Sequence, residues 1–180
     1  MRRAEGDEAG ATVLTTARLV LTQLTEDDAP FIVRLLNDPG WLRFIGDRGV
    51  RDEEDARAYL VRGPLAMYAR NGFGLWRVAR RDDGAPVGLC GLIKRDSLPD
   101  VDVGFAFLPA YRGRGYAAEA AAATLALAST RYGLCRVVAI VSPDNLRSIR
   151  LLEKLGMSRE GSSPASDPAD PTLLFALDLG

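Results

Sequence analysis

Residues 101–117, VDVGFAFLPAYRGRGYA, constrain this chain more than any other stretch, because they specify a strand, a stop and a helix start in one short run. Val101, Val103, Phe105 and Phe107 alternate with Asp102, Gly104, Ala106 and Leu108, the period-two pattern of a strand with two distinct faces. Pro109 ends the strand, and Arg112-Gly113-Arg114-Gly115-Tyr116-Ala117 leads into an alanine-rich segment over 118–130 whose propensity is helical. A glycine-bearing turn at a helix start leaves several backbone N–H groups without carbonyl partners and pointing one way. With the positive end of the helix dipole behind them, they form an anion site suited to a pyrophosphate.

A chain of 180 residues suffices for one domain with a full core. The small, charged residues 1–11 are expected to be a disordered tail, and 12–180 a single domain. Apolar content of 47% and charged content of 26% fit a soluble globular protein. A net charge of −1 argues against nucleic acid or an anionic membrane as partner. No apolar run approaches the ~20 residues needed to cross a bilayer, and MRRAEGDEAGA lacks the apolar core of a signal peptide, so a cytoplasmic location is expected. Cys90 and Cys135 sit in apolar, strand-like runs without CxxC spacing, which predicts buried, reduced thiols. The chain contains no histidine. That excludes Ser-His-Asp and Cys-His nucleophile systems and any histidine-ligated metal, and leaves acid–base chemistry to carboxylates, hydroxyls, thiols, amines or water.

The pattern along the chain alternates repeatedly. A strand is expected within 13–24, and Thr25 with Asp28 has capping-box spacing for a helix that reaches Asn37 and closes at Pro39-Gly40. A second helix follows Arg51-Asp52-Glu53-Glu54, with a break at Gly63-Pro64 and another helical turn over 65–68. Strands over 73–79 and 86–93, joined through Asp83-Gly84, form a hairpin that the 101–108 strand extends into a meander. After the alanine-rich helix come a strand over 136–141, a helix over 146–155 stopped by Gly156, and strands over 157–160 and 173–179. The Pro/Ser/Asp loop between the last two reads as too polar to pack. This order specifies an α+β fold, a mixed, mostly antiparallel central sheet flanked by about four helices.

Gly113-x-Gly115-x-x-Ala118 matches the dinucleotide fingerprint GxGxxA, but that motif belongs to the first turn of a parallel sheet and wants an acidic residue ending the next strand. Here a hairpin and two helices precede it, and Ser142-Pro143 follows the next strand, so the dinucleotide reading fails. An ordinary Arg-Gly turn into a surface helix fits the hexapeptide alone equally well. The wider set decides between them. Residues 111–117, then Asn145-x-x-Ser148, then Leu152-Glu153-Lys154-Leu155-Gly156-Met157 together resemble the GNAT acyltransferase superfamily. Thr16-Ala17-Arg18-Leu19-Val20-Leu21 with Leu24-Thr25-Glu26-Asp27-Asp28-Ala29 resembles its RimJ/RimL branch, which acetylates amino termini of ribosomal proteins and various small amines. The resemblance spans 15–179.

The resemblance implies an acetyl-CoA-dependent N-acetyltransferase acting on a primary amine, with acetyl-CoA as cosubstrate and no metal. The acceptor would be a small molecule or a protein amino terminus, and a homodimer is compatible with it. It implies a V-shaped opening between the 101–108 and 136–141 strands, with splayed parallel edges. Pantetheine would lie along the backbone of Phe105 and Phe107, and the pyrophosphate on the N–H groups of Arg112, Gly113, Arg114, Gly115, Tyr116 and Ala117. Asn145 reads as a helix cap, a pantetheine ligand, or both. The chemistry is amine attack on a thioester with loss of a thiolate. Asp102 stands where the branch carries a glutamate, which implies a base acting through water because the side chain is one methylene shorter. Gly104 and Ala106 share its face and leave a groove beside it. A solvated strand carboxylate is the alternative. Ser148 is implied as hydrogen-bond donor to the leaving thiolate, its alternative being a helix-cap residue, and a backbone N–H near Phe107 as the oxyanion donor. A non-catalytic acyl-CoA-binding domain of the same fold is the competing function. Trp41, Phe44, Trp76 and the loop with Asp167 and Asp170 are expected to border the acceptor.

Overall fold

The structure, a computed structural model, describes residues 10–180. Most of the expected tail, residues 1–9, lies outside the described residues, and Ala11 already joins the fold by accepting from the Gln23 N–H at 2.9 Å. Eight strands form one mixed sheet: β1 (Thr12–Thr15), β2 (Leu19–Gln23), β3 (Leu75–Arg80), β4 (Pro86–Ile93), β5 (Asp102–Phe107), β6 (Arg136–Val141), β7 (Ser158–Ser162) and β8 (Leu173–Asp178). Their spatial order is β1-β2-β3-β4-β5-β6-β8-β7. Every neighbouring pair is antiparallel except β5–β6. The single strand expected over 13–24 is a hairpin. The Thr16 N–H donates to Leu19 O at 2.9 Å and turns the chain back before Leu19 and Leu21 enter the core.

Six α-helices occur among the described residues: α1 (Ala29–Leu36), α2 (Pro39–Phe44), α3 (Glu53–Leu60), α4 (Ala66–Asn71), α5 (Tyr116–Thr130) and α6 (Leu146–Lys154). The Thr25 N–H donates to Asp28 Oδ2 at 2.8 Å, the reciprocal half of the capping box that starts α1. Pro39-Gly40, expected to close α1, instead opens α2. Proline suits the first helical position, and Asp38 caps the turn by accepting from the Gly40 and Trp41 N–H groups at 3.0 and 3.2 Å. The break expected at Gly63-Pro64 is a single wide turn over Val61–Leu65 that passes into α4, an arrangement that accommodates the N–H missing from Pro64. No helix among the described residues is long and apolar enough to cross a membrane.

The sheet is covered on both faces. α5 lies on one, where Ala120, Ala121 and Ala128 are fully buried and their small side chains let the helix approach the strands closely. α1, α2 and α3 bury Ile32, Leu35, Trp41, Ala56 and Leu60 on the other. Beyond β5 that second face is covered by loops instead: Leu98 packs on Val138 and Ala176. The 163–172 loop is better organised than its composition suggests. Ser163 is buried, and the Thr172 N–H donates to Ser166 Oγ at 2.9 Å, so its polar groups satisfy one another. Cys90 is buried as expected; Cys135 is exposed, because it sits in the turn after Gly133 rather than within β6.

Candidate active site

β5 and β6 share one register pair, Asp102↔Val138, sealed by the Val138 N–H donating to Val101 O at 3.0 Å. No further rung joins them. The Leu108 N–H donates to Val87 O across the other edge of β5 at 2.9 Å, so pleating turns the Phe107 amide and carbonyl toward β6. There Phe107 O accepts from Arg112 Nε at 3.0 Å. A cavity of about 710 Å³ occupies the gap, walled by residues 103–107 of one strand and 139–142 of the other side.

Asp102, Phe105 and Phe107 line this cavity from β5, Arg112 and Ala117 from the turn into α5, and Asn145 and Ser148 from the start of α6. The fold thus brings together residues that the sequence places 46 positions apart (148 − 102). Gly113, Arg114 and Gly115 are exposed on the adjoining loop and do not wall the cavity. Gly113 and Gly115 have φ of +73° and +81°, a left-handed conformation open to glycine without strain. A Cβ on Gly113 would meet nothing within 4 Å, and one on Gly115 would stand 3.2 Å from Arg18 Nη2. The first α5 N–H with a carbonyl one turn back is that of Glu119, bonded to Gly115 O at 3.1 Å. The amides just before it have no such partner, and the space beside Gly113 is clear.

A clamp fixes this helix start. Glu119 accepts from Thr16 Oγ1 at 2.6 Å, from the Arg18 N–H at 2.8 Å and from Arg18 Nε at 2.7 Å, while Arg18 Nη1 donates to Arg114 O at 2.9 Å. The Arg18 guanidinium also lies 4.6 Å above the buried Tyr116 ring. Burial alone would raise the Glu119 pKa; the Thr16 hydroxyl and the Arg18 N–H and guanidinium outweigh it and hold it below the usual carboxylate value.

Asp102 is 1% exposed, which excludes the solvated strand carboxylate. Its Oδ2 accepts from Arg95 Nε at 2.5 Å. Burial pushes its pKa up, against the charge and hydrogen bond of Arg95. Its Oδ1 lies beside Gly104, 3.9 Å from where a Cβ there would stand, and has no hydrogen-bond partner among the described residues. Asn145 does cap α6, its Oδ1 accepting from the Ser148 N–H at 3.3 Å. That bond uses the Ser148 backbone; the Ser148 hydroxyl is engaged by no group among the described residues.

α2 spans the mouth. Asp38 at its start accepts from Arg112 Nη2 at 2.5 Å, and Arg43 near its end pairs with Asp144 at 3.1 Å, just before α6. Trp41 and Phe44, on the same helix, line the cavity as expected. Trp76, Asp167 and Asp170 do not. Trp76 is a core residue, its ring stacked 6.5 Å from Tyr132, because its side of β3 faces α5; Asp167 and Asp170 bridge one another within their own loop. Arg95, Asp38 and the Arg18–Glu119 clamp are absent from the sequence reading, since each joins groups from separate elements; the one signal that could have found Asp38 is its place directly before Pro39, the pairing of a helix start.

The family model for the acetyltransferase (GNAT) domain matches residues 18–158. The chain belongs to this family. Among its relatives, the uncharacterized N-acetyltransferase YnaD of Bacillus subtilis (strain 168) is 30% identical over 148 residues, 82% of this chain and 84% of that protein. An acetyltransferase of Agrobacterium tumefaciens str. C58 superposes with a TM-score of 0.79 at 27% identity, covering 98% of this chain and 99% of that one. RimL, a ribosomal L7/L12 alpha-N-protein acetyltransferase, reaches the same TM-score of 0.79 at 14% identity, covering 99% and 98%, and so shares the fold. The GNAT sheet, its one parallel strand pair and the helix-opening turn are all in place here.

Proposed function

We propose that this GNAT acetyltransferase moves an acetyl group from acetyl-CoA to a primary amine by direct attack on the thioester. One observation carries the reading: β5 and β6 part after a single rung, and the cleft so formed holds a buried carboxylate, a free hydroxyl and a helix N-terminus along one path. Five residues of β5 separate Asp102 from Phe107, roughly 17 Å at about 3.3 Å per residue. A pantetheine arm running from phosphates at the α5 turn onto this edge brings the thioester beside Phe105 and Phe107, and leaves the rest of the span to the acceptor and the water that link it to Asp102. Phe105 and Phe107 offer the backbone edge, residues 113–117 the phosphate amides, and Asn145 the Nδ2 amide that its cap leaves over; the Arg112 N–H, expected among the phosphate donors, is already bonded to Pro109 O at 3.2 Å.

Acetyl-CoA supplies the activated acyl group. The acceptor arrives mainly as ammonium, and one of its protons must leave before nitrogen can attack. Asp102 takes it, through water, with a basicity that burial raises and Arg95 tempers. The C–N bond then forms, the C–S bond breaks, and the nitrogen loses a second proton. One proton ends on the CoA sulfur and the other leaves to solvent. Ser148 donates a hydrogen bond to that sulfur as negative charge develops on it, and the Phe107 region of β5 turns backbone N–H toward the carbonyl oxygen. Acetyl-CoA-dependent thiol release with amine acceptors tests the reading; calorimetric binding of acetyl-CoA without any amine-dependent thiol release would overturn it.

A further inference from the structure

Three carboxylates line the cavity, and each is committed to an arginine: Asp38 to Arg112 at 2.5 Å, Asp102 to Arg95 at 2.5 Å and Asp144 to Arg43 at 3.1 Å. Four arginines line it as well, and two of these, Arg48 and Arg147, pair with no carboxylate among the described residues. Arg147 belongs to the first turn of α6, beside Asn145 at the proposed cofactor end. Arg48 belongs elsewhere. It stands with Tyr59 and Gly63 where the cavity meets an adjoining pocket of about 430 Å³, to which Arg62 adds a further cation. The carboxylate in that pocket, Asp55, accepts from the Arg51 backbone N–H at 2.9 Å and keeps its charge, so two cations face one anion there. Both Arg48 and Arg95 lie close enough to the Tyr59 phenol to oppose the upward pull of burial on its pKa. Tyr59 therefore links the unpaired cation to the Asp102 end of the cleft. Trp41 provides another unmet donor, its Nε1 being buried with no acceptor among the described residues. The walls between are apolar, built from Phe44, Met67 and Ile93.

We propose that the acceptor is a small amine that also carries a carboxylate, an amino-acid-like molecule with an apolar body, its carboxylate held by Arg48 and the Tyr59 hydroxyl and its amine directed at Asp102. This rests on reading the cavity as the acyl-transfer site, and the bonds made and broken are those given above. In the adjoining pocket two cations, Arg48 and Arg62, face one carboxylate, Asp55, so an anionic group meets net positive charge, whereas a second ammonium in the main cavity would meet carboxylates already paired with arginine. Polyamines and lysine-like acceptors are thereby disfavoured.

The test compares phenylalanine, phenylalaninamide, phenethylamine and spermidine at saturating acetyl-CoA, with thiol release as readout, in the native protein and in Arg48→Gln. Arg48 is exposed, so phenylalanine is expected to exceed its amide about 3- to 10-fold in kcat/KM, the range for a hydrogen-bonded contact weakened by solvent. Arg48→Gln, with its fold checked by circular dichroism, is expected to bring that ratio toward one. Equal or better use of the amide, of phenethylamine or of spermidine overturns the proposal, as does a ratio that Arg48→Gln leaves unchanged. Should none of the four be acetylated, calorimetry on the CoA-loaded protein decides. Tighter binding of N-acetylphenylalanine than of its amide, lost in Arg48→Gln, supports the proposal, and no preference overturns it. Failure to bind acetyl-CoA overturns the acyl-transfer reading and this one with it, while equal use of acid and amide overturns this one alone.

Discussion

The end of the cleft at α5 and the end at α2 and α3 are built from different materials. At α5 the binding groups are backbone amides, set by two left-handed glycines and a helix start, and locked from behind by Glu119 and Arg18. At the other end they are side chains drawn from four elements: Trp41 from α2, Arg48 from the loop after it, Tyr59 from α3, and Arg95 from the loop after β4. Backbone recognition needs only a short local motif and tolerates little change at its glycines. Side-chain recognition can be altered one residue at a time without disturbing the strands. The contrast suits a fold in which one substrate is constant and the other varies.

Four substitutions break or sharpen this contrast. Asp102→Asn, where the two ends meet, is expected to lower turnover roughly 10²–10⁴-fold, the range for a positioned base. The loss should be greatest well below the pKa of the acceptor amine and shrink as pH rises toward it, which a rate–pH profile of both proteins checks. A uniform loss at all pH values would make Asp102 a binding group instead. The same change strands Arg95, one third of whose side chain is exposed, so it also lowers stability, by up to about 3 kcal/mol; rates belong well below the melting transition. Gly115→Glu places a side chain at φ +81° beside the amides and adds charge. Acetyl-CoA affinity should fall about 10²-fold by calorimetry, the loss of one or two charge-assisted contacts, and retained affinity in a folded variant would move the phosphates off this turn.

Ser148→Ala is expected to reduce kcat about tenfold, near the lower end for a hydrogen bond to a charged group, with acetyl-CoA affinity little changed. An unchanged kcat with chemistry rate-limiting would leave Ser148 a residue of the α6 cap. The smallest effect belongs to the clamp. Glu119→Gln should cost about 1 kcal/mol and lower Tm by roughly 2–4 °C in a chain of this size. The sign with pH follows from its lowered folded-state pKa. The stabilisation is fully present above the unfolded value of about 4.3, and is lost as pH falls through the folded one. Thermal scans from pH 7 downward should therefore show the two proteins apart at pH 7 and drawing together as pH falls below the unfolded value.

The strands from β3 to β6, the α5 turn and the α6 cap were legible because each is encoded locally: alternation in 102–107, glycines at 113 and 115, and Asn145 three residues before Ser148. Pro39-Gly40 misled because the same dipeptide that ends one helix can start another, and the deciding group was Asp38 just before it. Trp76 misled for a different reason: an aromatic on a strand gives no sign of which face it occupies until its neighbours across the sheet are known, and Tyr132 comes from after α5. Arg95 was silent altogether, since the partner that makes it meaningful is a carboxylate on the next strand. Pairings of charge across elements are tertiary facts.

α2 has one more consequence. A helix of six residues does not hold itself together in water, so its order depends on the buried Trp41 and on what grips its ends. Asp38 ties one end to the β5–α5 side of the cleft and Arg43 ties the other to the β6–α6 side. Five residues at about 1.5 Å each make it a spacer of roughly 7.5 Å, a rung of fixed length set across the opening. The two sides can separate only by releasing one grip, and the grips are unequal. Asp38 is buried, whereas Arg43 and Asp144 are 66% and 59% exposed and meet in solvent, where salt screens them. The grip at Asp144 is therefore the weaker of the two, and dissolved ions act chiefly on it.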